Sequence, residues 1–312
     1  MKNKLVTLIG GGGFLGRYVA QDLLAAGARV RVAQRDPRAA YFLKPLGGLG
    51  QTQFVAADLR KPESIARAVA GADAVVNLVG ILKGDFTAIQ ADGARIVAEA
   101  AARAGVGALV HVSAIGADAG SASGYGRSKA AGEAAVRAAF PGATIMRPSI
   151  MFGREDGFIN RFAGMIAGPM PVVPVLRAGA KFQPVFVGDV AVAIVAALAH
   201  PETAAGKTFE LGGPDIITMG ALIRWIAVTI GRHPTIVELP DLVGGMIALG
   251  GFLPGAPITR DQWRMLQVDN VVSAGAGTLA DLGVAPTPLD SVAPGWLVQY
   301  RRHGRFTTTA TA

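Results

Sequence analysis

Tyr125-Gly-Arg-Ser-Lys129 sets a phenol and an ammonium four residues apart, so a helix would present both on one face. Ser113 stands twelve residues before Tyr125, directly after Ala108 to Val112, an apolar run that reads as a buried strand. The three side chains suit proton transfer at a substrate oxygen. The serine would hold a carbonyl, the phenol would give or take the proton, and the ammonium would lower the phenol's pKa. A tyrosine and lysine at this spacing are also what an exposed helix pair looks like, so the elements around them carry the decision.

Those elements begin at the amino terminus. Leu5 to Ile9 is a continuous apolar run, as a strand covered on both faces requires. Four glycines, Gly10, Gly11, Gly12 and Gly13, follow it, then Phe14, Leu15 and Gly16 open a helix whose apolar positions include Leu15, Val19, Leu23 and Leu24. Gly27 closes that helix before a second strand, Arg29 to Gln34. Strand, glycine turn, helix and strand in this order form half of a dinucleotide-binding fold. The glycines let backbone amides approach a pyrophosphate at the helix's positive end, and Gly16 lets helix and strand pack closely.

At the tip of the second strand stand Gln34-Arg35-Asp36-Pro37. A carboxylate there selects NAD through the ribose hydroxyls, whereas an arginine pairs with the 2′-phosphate of NADP. Arg35, with Arg38 near it, favours NADP(H), and Asp36 keeps NAD(H) open. Asp58 and Leu59 follow the third strand, where the carboxylate could accept from an adenine amino group or cap the helix before Pro62. Asn77-Leu-Val-Gly80 ends the fourth strand with a small residue where a cofactor would cross the sheet.

Strands expected at Leu5–Ile9, Arg29–Gln34, 53–56, 74–78, Ala108–Val112 and 144–147 alternate with helical segments 65–69, 88–104 and 130–139. This rhythm predicts an α/β protein, a Rossmann-type doubly wound parallel sheet formed by residues 1–150. Beyond Pro148 proline and glycine become frequent, and residues 151–312 are expected to form a smaller α/β region over the carboxyl ends of the strands. Within it, parts of 181–215 are candidates to return to the core sheet. Helices are expected at 190–199 and 219–230, with strands at 182–187 and 208–211.

The 312 residues are 51% hydrophobic and 17% charged, as in a globular chain with a large core. With no cysteine and four scattered histidines, thiolate chemistry is excluded and no metal site is expected. The net charge of +8 is spread along the chain, its densest part being Arg301, Arg302, His303 and Arg305. It favours anionic partners, and no motif accompanies it that would point to nucleic acid. Met1-Lys-Asn-Lys4 and the run behind it imitate a secretory signal, but the glycines within make it a first strand. No apolar run reaches the roughly 18 residues a bilayer span needs. Leu239 to Leu253, apolar nearly all round, is expected to be a buried helix, with contact to a membrane surface or partner as the other reading.

The glycine turn, Asp58, Ser113 and Tyr125-x-x-x-Lys129 together resemble the extended and atypical short-chain dehydrogenase/reductases over the whole chain. Arg147-Pro148 followed by Gly153, and Phe186-Val-Gly-Asp189-Val, look like later signatures of that family. Phe152-Gly-Arg-Glu-Asp-Gly-Phe-Ile-Asn160, between Lys129-Ala-Ala-Gly-Glu133 and Gln183-Pro-Val-Phe-Val-Gly-Asp189, is similar to a narrower branch. That branch is the nucleotide-binding accessory subunit of respiratory complex I and its bacterial relatives, with a related branch linked to ubiquinone biosynthesis. The resemblance implies tightly held NADPH in a structural role, complex I subunits as partners, and a cytoplasmic protein peripheral on the inner face of the respiratory membrane. It also implies cofactor contacts from Tyr125, Lys129 and Pro148. Against it, the family often has threonine before and within its glycine turn, where this chain has Ile9 and Gly12. A common asparagine is Gln90 here. The complete triad leaves an active oxidoreductase or epimerase, working on a small carbonyl, nucleotide sugar or quinone precursor, as the alternative.

Overall fold

The computed structural model describes residues 1–169, 171–253, 256 and 258–306. The chain divides into two compact units. Met1–Pro148, Val187–Leu211 and Val272–Ala285 make the first, while Ser149–Phe186, Gly212–Val271 and the chain from Pro286 make the second.

In the first unit, β1 (Leu5–Ile9), β2 (Arg29–Gln34), β3 (Thr52–Ala56), β4 (Ala74–Asn77), β5 (Ala108–Val112), β6 (Thr144–Pro148) and β7 (Thr208–Leu211) form one parallel sheet. Their order is β7-β6-β5-β4-β1-β2-β3. The order reverses between β4 and β1, the switch point where open α/β sheets bind ligands outside the carboxyl ends of their strands. The helices are α1 (Phe14–Ala25), α2 (Pro62–Val69), α3 (Gly93–Arg103), α4 (Gly124–Ala139) and α5 (Val187–Ala199). α2, α3 and α4 pack in a row on the face that carries Val75, Leu109 and Ile145, while α1 packs on α5. This is the doubly wound Rossmann-type fold expected from the alternation of strands and helices.

Polar groups inside the sheet are matched by helix ends. Thr7 is fully buried in β1 and its Oγ1 donates to the Ala68 carbonyl at 3.0 Å. Arg31 reaches from β2 to the same carbonyl at 2.7 Å and to that of Ala70 at 2.8 Å, so a cation closes the electronegative end of α2.

Two local expectations are revised. Residues 88–104 are not one regular helix, because Thr87–Asp92 winds as a wide π turn before α3 begins. That turn lies close against α4, where a Cβ added to Gly132 would meet the Gln90 carbonyl oxygen at 2.2 Å. The strand expected at 182–187 is two short ones, Lys181–Phe182 and Val185–Phe186, and Val187 already opens α5. Pro184 separates them, having no N–H for a ladder.

The second unit surrounds a core of Phe152, Ile159, Ile166, Leu222, Ile223 and Ile226, in which the helix Ile159–Ala167 packs on the helix Met219–Thr229. Thr235–Leu239 pairs in parallel with Val172–Leu176. The helix Asp241–Leu249 departs from the expected burial. Only Gly244 and Ala248 are buried, while Leu242, Met246 and Leu249, spaced at i, i+4 and i+7, stand exposed. The small residues take the inner side because Trp263 lies there, 2.5 Å from where a Cβ on Gly244 would be. Of the basic cluster near the end, Arg301 Nε donates to the Thr229 carbonyl at 3.2 Å. The side chain of Arg305 lies outside the described residues.

Candidate functional site

The glycine turn closes through its own backbone. Gly10 has φ of +80°, its N–H donates to the Ala33 carbonyl at 2.8 Å, and its carbonyl accepts from Gly13 at 3.1 Å. A Cβ on Gly16 would lie 2.3 Å from the Gly11 oxygen, and one on Gly11 would lie 2.7 Å from Leu8 Cβ, so strand, turn and helix meet with no room for side chains. Gly13 is the N-cap of α1, no side chain caps the helix, and its first turn holds no acid. The first-turn amides of Phe14, Leu15 and Gly16 are therefore available to an anion, as a dinucleotide diphosphate requires.

Gly12 has a partner that sequence reading missed. The Gln34 Oε1 atom accepts from the Gly12 N–H at 2.9 Å, and Gln34 Nε2 donates to the Asp36 carbonyl at 2.6 Å. A Cβ at position 12 would lie 2.2 Å from that Oε1, so glycine in place of threonine and glutamine at the tip of β2 belong together.

Arg35 and Arg38 are exposed at that tip. The Asp36 carboxylate accepts from the Arg38 N–H at 3.0 Å and caps the 3-10 stretch Pro37–Leu46, which occupies one of its oxygens locally. Asp58 does not cap α2, whose N-cap is Lys61. Its carboxylate is clasped instead by Arg60, at 3.1 Å from Nε and 2.8 Å from the terminal nitrogen, which pulls its pKa down to about 2. Leu59 is buried in the core, where a Cβ on Gly93 would meet its Cδ1 at 2.8 Å. Pro148 ends β6 beside Leu211, and its carbonyl accepts from Ile115.

The three chemistry-bearing residues do converge on one region. Ser113 follows β5, its N–H donates to Met146 at 2.7 Å, and its buried Oγ has no hydrogen-bond partner among the described residues. Ser123 caps α4 by accepting from the Gly126 N–H at 2.9 Å, which sets Tyr125 in the first turn and Lys129 one turn on. Lys129 is 3% exposed, and its Nζ donates to the Val112 carbonyl at 3.1 Å and lies 5.9 Å from the Tyr125 ring centroid. Gly80 belongs to the same region, since a Cβ there would be 3.3 Å from that Nζ.

The electrostatics differ from the expected ones. Burial pushes the Tyr125 phenol up to about 12 and the Lys129 ammonium down to about 8, so desolvation outweighs the ammonium's effect on the phenol. Phe86 contributes to that enclosure, edge-on to Tyr125 with centroids 6.1 Å apart.

Two supporting groups surround the triad. Gln90, 2% exposed in the π turn, accepts from the Ile81 N–H at 3.3 Å and donates to Ser128 Oγ at 2.9 Å, and Ser128 donates to the Tyr125 carbonyl at 2.8 Å. Asn77 and His111 sit side by side on β4 and β5, with Asn77 Nδ2 3.1 Å from His111 Nδ1. Burial, then the Lys129 charge, push His111 down to about 3, so its ring is neutral and accepts from the asparagine. Gln90 was legible only as a departure from a family pattern, and His111 only as one scattered histidine.

The motif of the narrower resemblance has a structural explanation in the second unit. The Asp156 carboxylate accepts from the N–H groups of Gly153, Phe158, Ile159 and Asn160 at 2.6 to 3.2 Å, capping the helix that starts at Ile159. Asn160 Nδ2 donates back to the carbonyls of Arg154 and Asp156, both at 3.1 Å.

A glycine cradle, an uncapped helix start at the switch point and an unpartnered buried hydroxyl fit a pyridine dinucleotide, and comparison with known proteins agrees. Residues 6–212 match the NAD dependent epimerase/dehydratase family. Mouse NADH dehydrogenase (ubiquinone) 1 alpha subcomplex subunit 9, mitochondrial, is 37% identical over 299 residues, covering 92% of this chain and 78% of that protein. The ceramide reductase of Caulobacter vibrioides is 33% identical, covering 84% of this chain and 79% of that protein. Among solved structures, the Citrobacter sp. triphenylmethane reductase complexed with NADP(H) superposes with a TM-score of 0.75 at 20% identity, covering 93% of this chain and 99% of that one. Cradle, sheet order and these identities agree: the chain belongs to the NAD dependent epimerase/dehydratase family and, within it, to the group of the respiratory complex I accessory subunit.

Proposed function

We propose that this protein is an NADP(H)-binding accessory or assembly subunit of a respiratory NADH:quinone oxidoreductase, with the nucleotide held mainly as a structural element. The observation that carries the reading is the identity to the mouse subunit, which extends over 92% of the chain and so well past the epimerase-type core. The amides of the turn and of Phe14, Leu15 and Gly16 would hold the diphosphate, Arg35 and Arg38 the 2′-phosphate, and Tyr125 and Lys129 the nicotinamide ribose. Structures of the same fold have been solved with NADP(H) and with NAD, so the choice of the phosphorylated nucleotide rests on Arg35 and Arg38. Pyridine nucleotides supply hydride transfer when bound.

Among the described residues no helix is long and apolar enough to cross a membrane. The exposed Leu242, Met246 and Leu249, continued by Phe252 and Leu253, support peripheral contact with a membrane or a partner subunit at the cytoplasmic face of the respiratory membrane. Native mass spectrometry of the purified protein, with blue-native electrophoresis of membranes, tests the reading. Expected are one bound NADP(H) per chain and comigration with the NADH:quinone oxidoreductase. A nucleotide-free protein that never comigrates with an intact complex would defeat it.

A second reading has its own observation. Ser113 Oγ is buried and unpartnered beside Tyr125 and Lys129, as a carbonyl-holding hydroxyl would be, and a relative is a ceramide reductase. It makes the protein an oxidoreductase acting on a carbonyl substrate. NADPH oxidation across a carbonyl panel, abolished by Tyr125→Phe, would establish it, and no turnover in that panel would remove it.

A further inference from the structure

Lys129 is a buried cation, and among the described residues the acid that acts on its charge lies on its own helix. Around it lie the Val112 carbonyl and the neutral His111 from β5, Gly80 from the loop after β4 with Gln90 of the π turn beside that glycine, and Tyr125 on its own helix. The acid acting on it is Glu133, four residues further along α4 and thus on the same face. Glu133 is itself 5% exposed and is held by both oxygens, at 2.8 Å from Arg147 Nε and 2.8 Å from a terminal nitrogen of the same guanidinium. The remaining terminal nitrogen of Arg147 is 3.3 Å from Glu210 Oε1, and Glu210 Oε2 accepts from the Ser273 N–H at 2.8 Å. Lysine, glutamate, arginine and glutamate thus alternate in sign across α4, β6 and β7, and their charges cancel. A bidentate arginine fork fixes a carboxylate in direction as well as position.

We propose that Glu133, clamped by Arg147 and Glu210, is a positioning residue for Lys129, keeping its buried ammonium charged and directed at the ribose of a bound pyridine nucleotide. The proposal rests on the cofactor reading above. Its electrostatic half concerns the unliganded protein and is measured separately. A plain structural cross-link between helix and sheet would lower the melting temperature on substitution and leave the Lys129 titration where it was.

The test is an NMR titration of the lysine side chains in the unliganded protein, with Lys129 assigned through Lys129→Met, on wild type and Glu133→Gln. A parallel arm measures NADPH affinity by calorimetry between pH 6 and 10. In wild type the Lys129 titration is expected near 8. In Glu133→Gln it moves about one pH unit lower, since the compensating carboxylate is gone and Arg147 then repels the lysine. The pH at which NADPH binding weakens is expected to move with it. Should Glu133→Gln not fold, Glu210→Gln, which frees part of the Arg147 charge, gives a smaller shift of the same sign. A Lys129 titration unmoved in the folded variants overturns the proposal even if NADPH binds. A shifted titration with no NADPH binding in any protein leaves the electrostatic role standing and overturns the cofactor reading.

Discussion

Substituting alanine at Gly12 and at Gln34, singly and together, tests whether the glycine turn is closed by a side chain from β2. In Gly12→Ala the new Cβ would sit 2.2 Å from Gln34 Oε1, 2.9 Å from its Cδ and 3.0 Å from Ala40 Cβ, so Gln34 must swing out. That loses the 2.9 Å bond to Gly12 and the 2.6 Å bond to Asp36. At about 0.5 to 1 kcal/mol each in this partly exposed setting, and with the tight Ala40 contact added, the cost comes to about 2 kcal/mol. Gln34→Ala loses the same two bonds and should cost about 1.5 kcal/mol. The double variant has nothing left to expel and should cost about 2 kcal/mol in total, giving a coupling of about 1.5 kcal/mol. Gly16→Ala is the contrast, because its Cβ meets the Gly11 backbone at 2.3 Å and a backbone cannot swing away. It should cost about 3 kcal/mol and add to Gln34→Ala without coupling. Urea unfolding of the wild type and these five variants, the Gly16→Ala/Gln34→Ala double included, reads these values directly. If the Gly12 and Gln34 costs sum to within about 0.4 kcal/mol, the closure described here is wrong.

Other expectations are accessible to simple measurements. Arg35→Glu combined with Arg38→Ala should weaken NADPH binding about 10- to 100-fold and leave NADH within about threefold in calorimetry, because on the proposed reading only the 2′-phosphate would meet those guanidinium groups. His111 is held near 3, below its ordinary 6.5, so the unfolded chain binds the extra proton and stability should fall as pH drops through 6.5 toward 3. His111→Gln should flatten that slope between about pH 6.5 and 4.5 in urea midpoints, and an unchanged slope would show that the ring is not held neutral. Asp156→Ala, which leaves four N–H groups without their acceptor, should cost about 3 kcal/mol in thermal or urea unfolding. Asp156→Asn should recover about half of that loss, since an amide oxygen still accepts.

The sheet was readable because each strand is a local apolar run and each glycine stands where the turn needs it. Ser113, Tyr125 and Lys129 were readable for the same reason, since strand-end placement and helical spacing are local facts. What the sequence hid depends on distant partners. Arg147 finds Glu133 14 residues away and Glu210 63 away, and neither interval has a period that a strand or helix would display. Gln34 folding back onto Gly12 is likewise invisible to a pattern of apolar positions. The expected lowering of the Tyr125 pKa was a pairwise inference, whereas in the cofactor-free protein desolvation of the phenol, with Phe86 edge-on beside its ring, acts in the opposite direction. For the helix Asp241–Leu249, apolarity on all sides suggested burial, yet its fully buried positions are Gly244 and Ala248, with Leu242, Met246 and Leu249 left outside.

The chain passes between its two units at residues 148/149, 186/187, 211/212, 271/272 and 285/286. During synthesis, the six strands β1 to β6 and the five helices α1 to α5 of the first unit leave the ribosome before the outermost strand, Thr208–Leu211, exists. Until then β6 is an open edge, and Arg147 on it lacks its second carboxylate. A nascent chain stalled near residue 190 therefore exposes a strand free to pair with a neighbour, whereas one stalled past residue 285 holds every segment of that unit. Fragments cut at residue 150 reproduce the first case permanently, so a stable nucleotide-binding piece of this protein has to be assembled from three stretches of sequence.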